Sequence, residues 1–477
     1  MTLHVIIIAG YFLFVLLLSA STRKASSRSS SDFLVAGRSM GVWVCASVIA
    51  GEWLGGMSTI GVSESAYLKG SLQPVLYNLS IALGMVVIGF TVAAKYRERR
   101  VHTVSEMLVH LFGPGARTAT AIPFLLAYVI LGFVQLQTCA GVMSGVLHLP
   151  WNLSVLLSSL VTTLYTYLGG MHAIALVNIV HLVVRTLGIG LACVLGMIKV
   201  GGFGGLQRSL LLSGAPAHPF NPFSGGLDYA LSLFLGGFLG GLATQASIKP
   251  IFSAKDPATA KRASLLSSLL IAPFGLLTAL LGLIARTGNF VDPASLSNTK
   301  SVLPALLASP SFVSPWVGGI AIAGILAAIL STVAPVNFAV VTIAAKDLYQ
   351  AKNPERVDDQ RLVAISRRLV ILVNLLILPL ALFVKGSVLD TAYLSYSIRS
   401  IGGVIIVLAL YRRGWINLIG VKMAFWGGIA AMAVLIFLNA RGVLHVPQLY
   451  GALGAALFFL FLGRVFEALS KRRWRGS

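Results

Sequence analysis

The sequence is poor in acidic residues and in charge of any kind. Its 477 residues include 14 Asp and Glu against 36 Lys and Arg, and charged residues make up 10% of the chain. Soluble domains typically carry about 25% charged residues, so this composition excludes an ordinary soluble fold. With 57% hydrophobic residues and a mean hydropathy of +0.89, the chain is expected to be an all-α, polytopic membrane protein.

Several sequence signals of chemistry are also missing. The three cysteines, Cys45, Cys139 and Cys193, lie inside apolar runs and have no CxxC spacing for metal or redox work. No GxxxxGK[ST] loop, zinc-ligand pattern or serine-nucleophile pattern occurs, which argues against nucleotide hydrolysis and against an enzyme. The net charge of +22 does not predict a nucleic-acid partner, because the cations lie between apolar spans and not on a soluble basic domain.

The apolar runs predict thirteen membrane spans. About twenty apolar residues cross the hydrocarbon core, and that length marks spans centred near residues 12, 55, 83, 132, 161, 187, 238, 274, 331, 377, 400, 430 and 458. With the N-terminus outside, 26 of the 36 Lys and Arg fall on the inner side and seven on the outer side. The positive-inside rule therefore predicts a plasma (inner) membrane protein with its C-terminus in the cytoplasm. The first span lacks a preceding basic segment, which favours a retained helix over a signal peptide.

Two glycine-rich segments interrupt these spans. Residues 51–61 (GEWLGGMSTIG) carry one carboxylate in an apolar run, and residues 236–241 (GGFLGG) begin 185 residues later. Glycine lets a helix unwind and expose carbonyls to a cation, and a pair of interrupted spans in corresponding halves points to a transporter site. Close helix packing is the alternative use of such glycines. We expect both segments to be unwound.

Four segments far apart in the chain resemble the motifs of one family. Residues 32–41 (DFLVAGRSMG) resemble the entry to the second helix of the sodium:solute symporter family, and residues 51–61 are similar to its unwound helix. Residues 167–173 (YLGGMHA) resemble its inner turn between helices five and six. Residues 328–332 (AILST), followed by 346–349 (KDLY), resemble its A-x-x-S-T helix that ends in a D-x-Y motif.

The resemblance implies cation-coupled symport of a small organic solute by alternating access, most simply with sodium. The fold would be of the leucine-transporter type: an extra helix and inner linker in 1–41, inverted five-helix repeats in 42–198 and 228–411, and two further helices in 412–477. The second and seventh helices would be broken at the binding site. By resemblance, the sodium ligands would be backbone carbonyls at Gly51, Leu54 and Ala328 and the hydroxyls of Ser331 and Thr332. Oxygen ligands suit a small hard cation, and back-bonding of the two hydroxyls within their own helix is the alternative.

Polar residues near this site depart from the family pattern. Glu52 stands beside the expected ion site, and Asn178 stands where many members carry an aspartate. Asn178, His181 and Arg185 share one helical face. A charge at mid-membrane costs about 2.5 kcal/mol or more, so we expect Glu52 to lie near Arg185, with Arg399 as the next candidate partner.

Two roles for these residues remain open. They could form a structural ion pair. Alternatively, Arg185, or a proton shared by Glu52 and His181, could replace part of the sodium ion's task, which would make the chain a proton-coupled or ion-independent relative.

The solute cavity is expected to draw its lining from the second, fourth and seventh spans. The candidate residues are Trp53, Gly55, Gly56, Met57, Tyr128, Gln135, Phe238 and Gln245. Aromatic rings and amides suit stacking and hydrogen bonding to a small organic solute, and core packing is the alternative for each. No pattern selects among monocarboxylates, neutral amino acids and sugars.

Two other classes of function compete with transport. Symporter-like membrane halves also occur in sensors, although we expect no output domain after the short basic tail of this sequence. A membrane enzyme would need clustered histidines or carboxylates, and His102 and His110 do flank Glu106, but in a loop where solvated charge is the simpler explanation. The expected partners are a small-molecule solute and the lipid bilayer, with a monomer as the functional unit.

Overall fold

The fold consists of helices joined by short connections. A computed structural model describes residues 2–22, 30–99, 101–224, 226–296, 298–352, 358–412 and 414–475. The α-helices are α1 Thr2–Ser21, α2 Ser30–Val35, α3 Val42–Trp53, α4 Val62–Lys69, α5 Val75–Thr91, α6 Ala93–Glu98, α7 Val104–Phe112, α8 Ala116–Leu147, α9 Trp151–Lys199, α10 Gly202–Leu212, α11 Leu227–Leu242, α12 Gln245–Ser253, α13 Pro257–Ile271, α14 Phe274–Arg286, α15 Val302–Ala308, α16 Pro315–Thr342, α17 Asp359–Phe383, α18 Val388–Tyr411, α19 Leu418–Ala440 and α20 Gln448–Arg475.

Ten helical stretches in the described part of the chain are long and apolar enough to cross a membrane. They contain ten of the thirteen expected centres. The other three centres fall on shorter or interrupted helices: α3 with α4, the 17-residue α5, and the first part of α9. The all-helical membrane architecture is therefore confirmed, whereas the count of thirteen and the inverted repeat remain predictions.

Both expected helix breaks are present, but the second lies beyond its glycines. In the second span, α3 ends at Trp53 and a π-helical turn, Met57–Gly61, leads into α4. In the seventh span, residues 236–241 are helical, and the chain leaves the helix at Ala243 and Thr244, between α11 and α12. The prediction of an unwound 236–241 segment is therefore wrong.

The glycines of α11 serve close packing. A Cβ at Gly236 would meet the Tyr393 ring, and a Cβ at Gly237 would meet the Ser80 hydroxyl. Small residues at such contacts let helices approach closely in a membrane. The local glycine signal thus identified the correct span but not the residues that open.

Close packing also brings α9 and α16 together. The long helix α9 turns sharply at Gly170, which has a φ of 56°, where the sequence predicts an inner turn. Beyond that turn, a Cβ at Gly188 would clash with the Ile320 carbonyl, and a Cβ at Gly324 would lie 3.2 Å from the Arg185 Cα. This contact positions the polar face of α9 against the middle of α16.

Candidate functional site

Four of the five predicted ion ligands, all except the Leu54 carbonyl, converge where α3 ends. Ser331 Oγ of α16 lies 2.8 Å from the Gly51 carbonyl oxygen and 2.6 Å from the Ala328 carbonyl oxygen. Thr332 Oγ1 lies 3.0 Å from the Gly51 carbonyl oxygen and 2.9 Å from that of Glu52. The last carbonyls of a helix have no partner within the helix, so the end of α3 provides them to α16.

This cluster of oxygens fits a hard cation such as sodium, which prefers carbonyl and hydroxyl ligands. Leu54, the residue that follows α3, has a ψ of 32°, outside the helical range, and lies two residues after Glu52. Ser331 makes both the back-bond to Ala328 and the contact with α3. The same position of the hydroxyl therefore agrees with both interpretations, an ion ligand and a back-bond within α16.

The glycines of the first break are required by close approach. A Cβ at Gly51 would overlap the Asn178 side-chain oxygen, and a Cβ at Gly55 would overlap the Thr332 hydroxyl. Asn178 donates from Nδ2 to the Ile174 carbonyl at 2.8 Å, and its Oδ1 has no hydrogen-bond partner within the described residues. An unpaired buried oxygen therefore borders the ion cluster.

Arg185 enters the same cluster from α9. Its Nη1 donates to Ser331 Oγ at 3.0 Å, and the side chain is fully buried. Nε and Nη2 find no acceptor in the part of the chain that is described. A guanidinium therefore lies directly against a candidate sodium ligand.

The expected ion pair between Glu52 and Arg185 is not formed. Ser247 of α12 donates its hydroxyl to the Glu52 carboxylate, while Arg185 is directed to Ser331. The acid–base pairs within 4.0 Å include His102–Glu106 and His172–Asp32, and Glu52 is in neither. Arg399, the second candidate partner, is close enough to attract Glu52 electrostatically without a direct ion pair.

The shared face of Asn178, His181 and Arg185 is buried, but its members have different partners. The Tyr11 hydroxyl of α1 lies 2.5 Å from His181 Nδ1, so His181 contacts the N-terminal helix. Glu52 and His181 are therefore bound to different neighbours. The structure gives no direct contact through which they would share a proton.

Most of the predicted solute residues surround the two breaks. The Trp53 and Tyr396 rings stack with centroids 6.1 Å apart, and the Tyr396 hydroxyl donates to the Met57 sulfur at 3.3 Å. Gln135 Oε1 accepts from the Gly56 amide at 3.2 Å, which links α8 to the first break. The Tyr128 hydroxyl accepts from the Ala246 amide at 3.1 Å, which links α8 to the start of α12.

Phe238 and Gln245 do not join this group. Phe238 is partly exposed and stacks on Phe234 with ring centroids 6.3 Å apart. Gln245 binds the backbone at the start of α7. Its Oε1 accepts from the Val104 amide at 2.6 Å, and its Nε2 donates to the His102 carbonyl at 2.7 Å. Both side chains are committed to contacts away from the rings of Trp53 and Tyr396.

The His102 and Glu106 pair has a structural use. Thr103 accepts from the Glu106 amide at 2.9 Å, and Glu106 accepts from the His102 amide at 2.7 Å, which caps α7. Burial opposes ionisation of Glu106, but the hydrogen bonds from His102 outweigh it and lower the pKa of the carboxyl to about 2. This arrangement explains the pair without enzymatic chemistry.

Three residues at the centre were missed by the sequence analysis: Thr244, Ser247 and Tyr396. Thr244 lies in the second break and accepts from Arg399 Nη1 at 2.9 Å, and Ser247 holds Glu52. Thr244 and Ser247 lie within six residues after Gly241, so the correct position of the break would have pointed to both.

Comparisons with known proteins agree with this geometry. The family model described as the sodium:solute symporter family matches residues 33–431. The osmoregulated proline transporter of Bacillus subtilis is 22% identical over all of this chain and 97% of its own length. The high-affinity choline transporter of Homo sapiens is 23% identical over 81% of this chain and 69% of its own.

A solved structure of a sodium-coupled sialic acid symporter superposes with a TM-score of 0.80. It covers 98% of both chains at 15% identity, which shows that the two proteins share a fold. The family match spans most of the chain and contains both helix breaks and the α16 hydroxyls. The chain therefore belongs to the sodium:solute symporter family and is a secondary active transporter of the leucine-transporter fold.

Proposed function

We propose that sodium drives uptake of a small organic solute by this chain, and that the ion binds between the end of α3 and the middle of α16. The ligands would be the carbonyls of Gly51, Leu54 and Ala328 with the hydroxyls of Ser331 and Thr332. The observation that carries the proposal is the convergence of both hydroxyls on the Gly51 carbonyl. Because α3 and α16 provide separate parts of the site, ion binding would stabilise one arrangement of the two helices.

A second candidate follows from Arg185. Two unit charges 4 Å apart repel by about 4 kcal/mol at an effective permittivity of about 20, so a sodium ion and the guanidinium cannot share the cluster without a large loss of affinity. In the second candidate, Arg185 is a built-in cation and transport is independent of sodium. Its contact with Ser331 Oγ at 3.0 Å is the observation that favours it.

The two candidates separate in a thermal-unfolding measurement that uses sodium itself as the probe. Purified protein is compared in sodium chloride and in potassium chloride of equal ionic strength. A ligand at 100 times its dissociation constant stabilises the folded state by about 2.7 kcal/mol. Sodium-coupled symport predicts a sodium-specific rise in Tm for the wild type, lost in Ser331→Ala.

Ser366→Ala is the matched control for Ser331→Ala. Ser366 is also buried and donates to a carbonyl one turn earlier, Leu362 at 2.8 Å, but it lies on α17.

The variant Arg185→Gln separates the two candidates. If sodium stabilises Arg185→Gln and not the wild type, Arg185 replaces the ion. If sodium stabilises neither protein, the assignment of the ion site is wrong.

We further propose the coarse setting of the transporter. Its place would be the plasma (inner) membrane, with the N-terminus outside and the C-terminus in the cytoplasm, as the distribution of Lys and Arg indicates. The monomer would be the functional unit, since both parts of the ion site come from a single chain.

A further inference from the structure

A second buried arginine lies between the two helix breaks. Arg399, in the middle of α18, is fully buried and donates from Nη1 to Thr244 Oγ1 at 2.9 Å. Thr244 belongs to the break between α11 and α12. On the other side, the guanidinium carbon lies 5.8 Å from the centroid of the Trp53 ring, at the end of α3. The guanidinium therefore contacts both openings.

Aromatic rings surround this guanidinium. The centroid of the Tyr396 ring lies 4.2 Å from its central carbon, and that of the Tyr128 ring lies 5.6 Å away. Such contacts stabilise a cation through the negative faces of the rings. Because the rings already hold a protein cation, a cationic solute would find them occupied and would be repelled.

The centre contains hydrogen-bond donors in excess of acceptors. Within the described chain, Arg399 Nε and Nη2, Trp53 Nε1 and Gln135 Nε2 are buried and have no hydrogen-bond partner. An unsatisfied buried polar group destabilises a fold, and buried polar groups in native proteins are normally paired. All four atoms can only donate.

The protein supplies little negative charge to balance them. Glu52 attracts Arg399, but its carboxylate accepts from Ser247 and forms no direct ion pair with a cation in the described residues. The hydroxyls of Tyr128 and Tyr396 interact with the guanidinium, but Nε and Nη2 have no acceptor within hydrogen-bond distance in the described residues. An acceptor group on a molecule that enters the site would pair with these donors.

We propose that the transported solute carries a carboxylate, and that this carboxylate binds the free edge of Arg399 through Nε and Nη2. A guanidinium and a carboxylate form two parallel hydrogen bonds of well-defined geometry. Trp53 Nε1 and Gln135 Nε2 provide further donors for acceptor groups of the solute. This assignment rests on the proposed transport function and adds the chemical class of the solute to it.

The test compares ligands that differ only in the carboxylate. Thermal unfolding of the wild type in sodium chloride is measured with propionate against propionamide and with L-proline against L-prolinamide. Choline and D-glucose represent a cationic and an uncharged solute. At least one carboxylate is expected to raise Tm while its amide does not. A response to propionate indicates a monocarboxylate as the solute, and a response to L-proline indicates an amino acid.

Two variants locate the effect at Arg399. Arg399→Gln is expected to weaken binding of that carboxylate by about 100-fold, the size expected when one member of a buried charge pair is removed. Arg399→Lys retains the charge without the paired geometry and should fall between Arg399→Gln and the wild type. Arg441→Gln, on an exposed arginine, should bind as the wild type does.

Several results would overturn the proposal: stabilisation by choline or glucose alone, equal binding of a carboxylate to Arg399→Gln and wild type, or no binding of either carboxylate. The sodium-specific shift in Tm is independent of the solute. Its persistence in the wild type while the carboxylates fail would reject the solute class and retain the transport site. Its presence in Arg399→Gln would also show that this variant is folded.

Discussion

At the scale of single residues, the ion site depends on positions that have no room for a side chain. We expect Gly55→Ala to remove sodium-specific stabilisation, because the added Cβ would overlap the Thr332 hydroxyl. Overpacking of this kind typically costs about 1–3 kcal/mol of stability. The measurement is Tm in sodium against potassium chloride, with Gly190→Ala as the control.

Gly190 has open space around the position of a Cβ. Alanine there should leave the sodium response unchanged and should not lower Tm, since alanine favours a helix over glycine by about 1 kcal/mol. An unchanged sodium response in Gly55→Ala would mean that Thr332 is not part of the ion site.

The sequence predicted which residues of the candidate ion site lie together better than it predicted the partners of the nearby charges. Gly51, Ser331 and Thr332 belong to recognisable motifs, and the structure brings them together. The partner of Glu52 is Ser247, 195 residues away, and that of Arg399 is Thr244, 155 residues away. Helical periodicity shows which side chains share a face, but it does not show which other helix packs against that face.

At the scale of helices, the positions of the breaks follow from tertiary contacts as well as from local sequence. In the second span, glycine both opens the helix and makes room for Asn178 and Thr332. In the seventh span, the glycines pack within α11, and the chain opens at Ala243 and Thr244, where Thr244 accepts from Arg399. Local propensity therefore predicted one break to within the segment 51–61 and the other only to the span.

The second half of the broken second span, α4, is held by a buried carboxylate. Glu64 on α4 accepts from Thr299 Oγ1 at 2.5 Å and from the Val388 amide at 2.8 Å. Lys300 next to Thr299 donates to the Gly386 carbonyl at 2.6 Å. These bonds, which we term the Glu64 latch, join α4 to the segment before α15 and to the start of α18.

We expect Glu64→Gln to loosen this latch, because the amide group places a donor where the carboxylate accepted two hydrogen bonds. A lost buried hydrogen bond costs about 1–3 kcal/mol, or about a tenfold change in a local opening equilibrium. Hydrogen exchange should therefore be about tenfold faster in peptides covering 62–69 and 299–308.

Glu106→Gln provides the reciprocal control, since Glu106 caps α7. This variant should accelerate hydrogen exchange in 104–112 and leave the exchange rates of 62–69 and 299–308 unchanged. If the segments 62–69 and 299–308 exchange at the same rate in Glu64→Gln and in the wild type, Glu64 does not hold them together.

At the scale of the whole molecule, charge has two separate roles. Most Lys and Arg lie in connections between predicted spans, where the positive-inside rule expects them to set the orientation. Three others, Arg185, Lys249 and Arg399, are fully buried in the transport core. Composition alone gives only the sum of +22. The distinction between the two groups requires the spans, and for the buried group it requires the packing of α9, α12 and α18.

The orientation predicted from the first group can be tested on the full-length chain. The native cysteines, Cys45, Cys139 and Cys193, are all buried, so an introduced cysteine at an exposed position should be the main target of a membrane-impermeant maleimide. Ala217 and Lys352 are both exposed and lie in connections expected on opposite sides. Ala217→Cys should be labelled in intact cells, and Lys352→Cys only after the membrane is permeabilised. The reverse pattern would place the cation-rich connections outside, and the positive-inside argument would not hold for this protein.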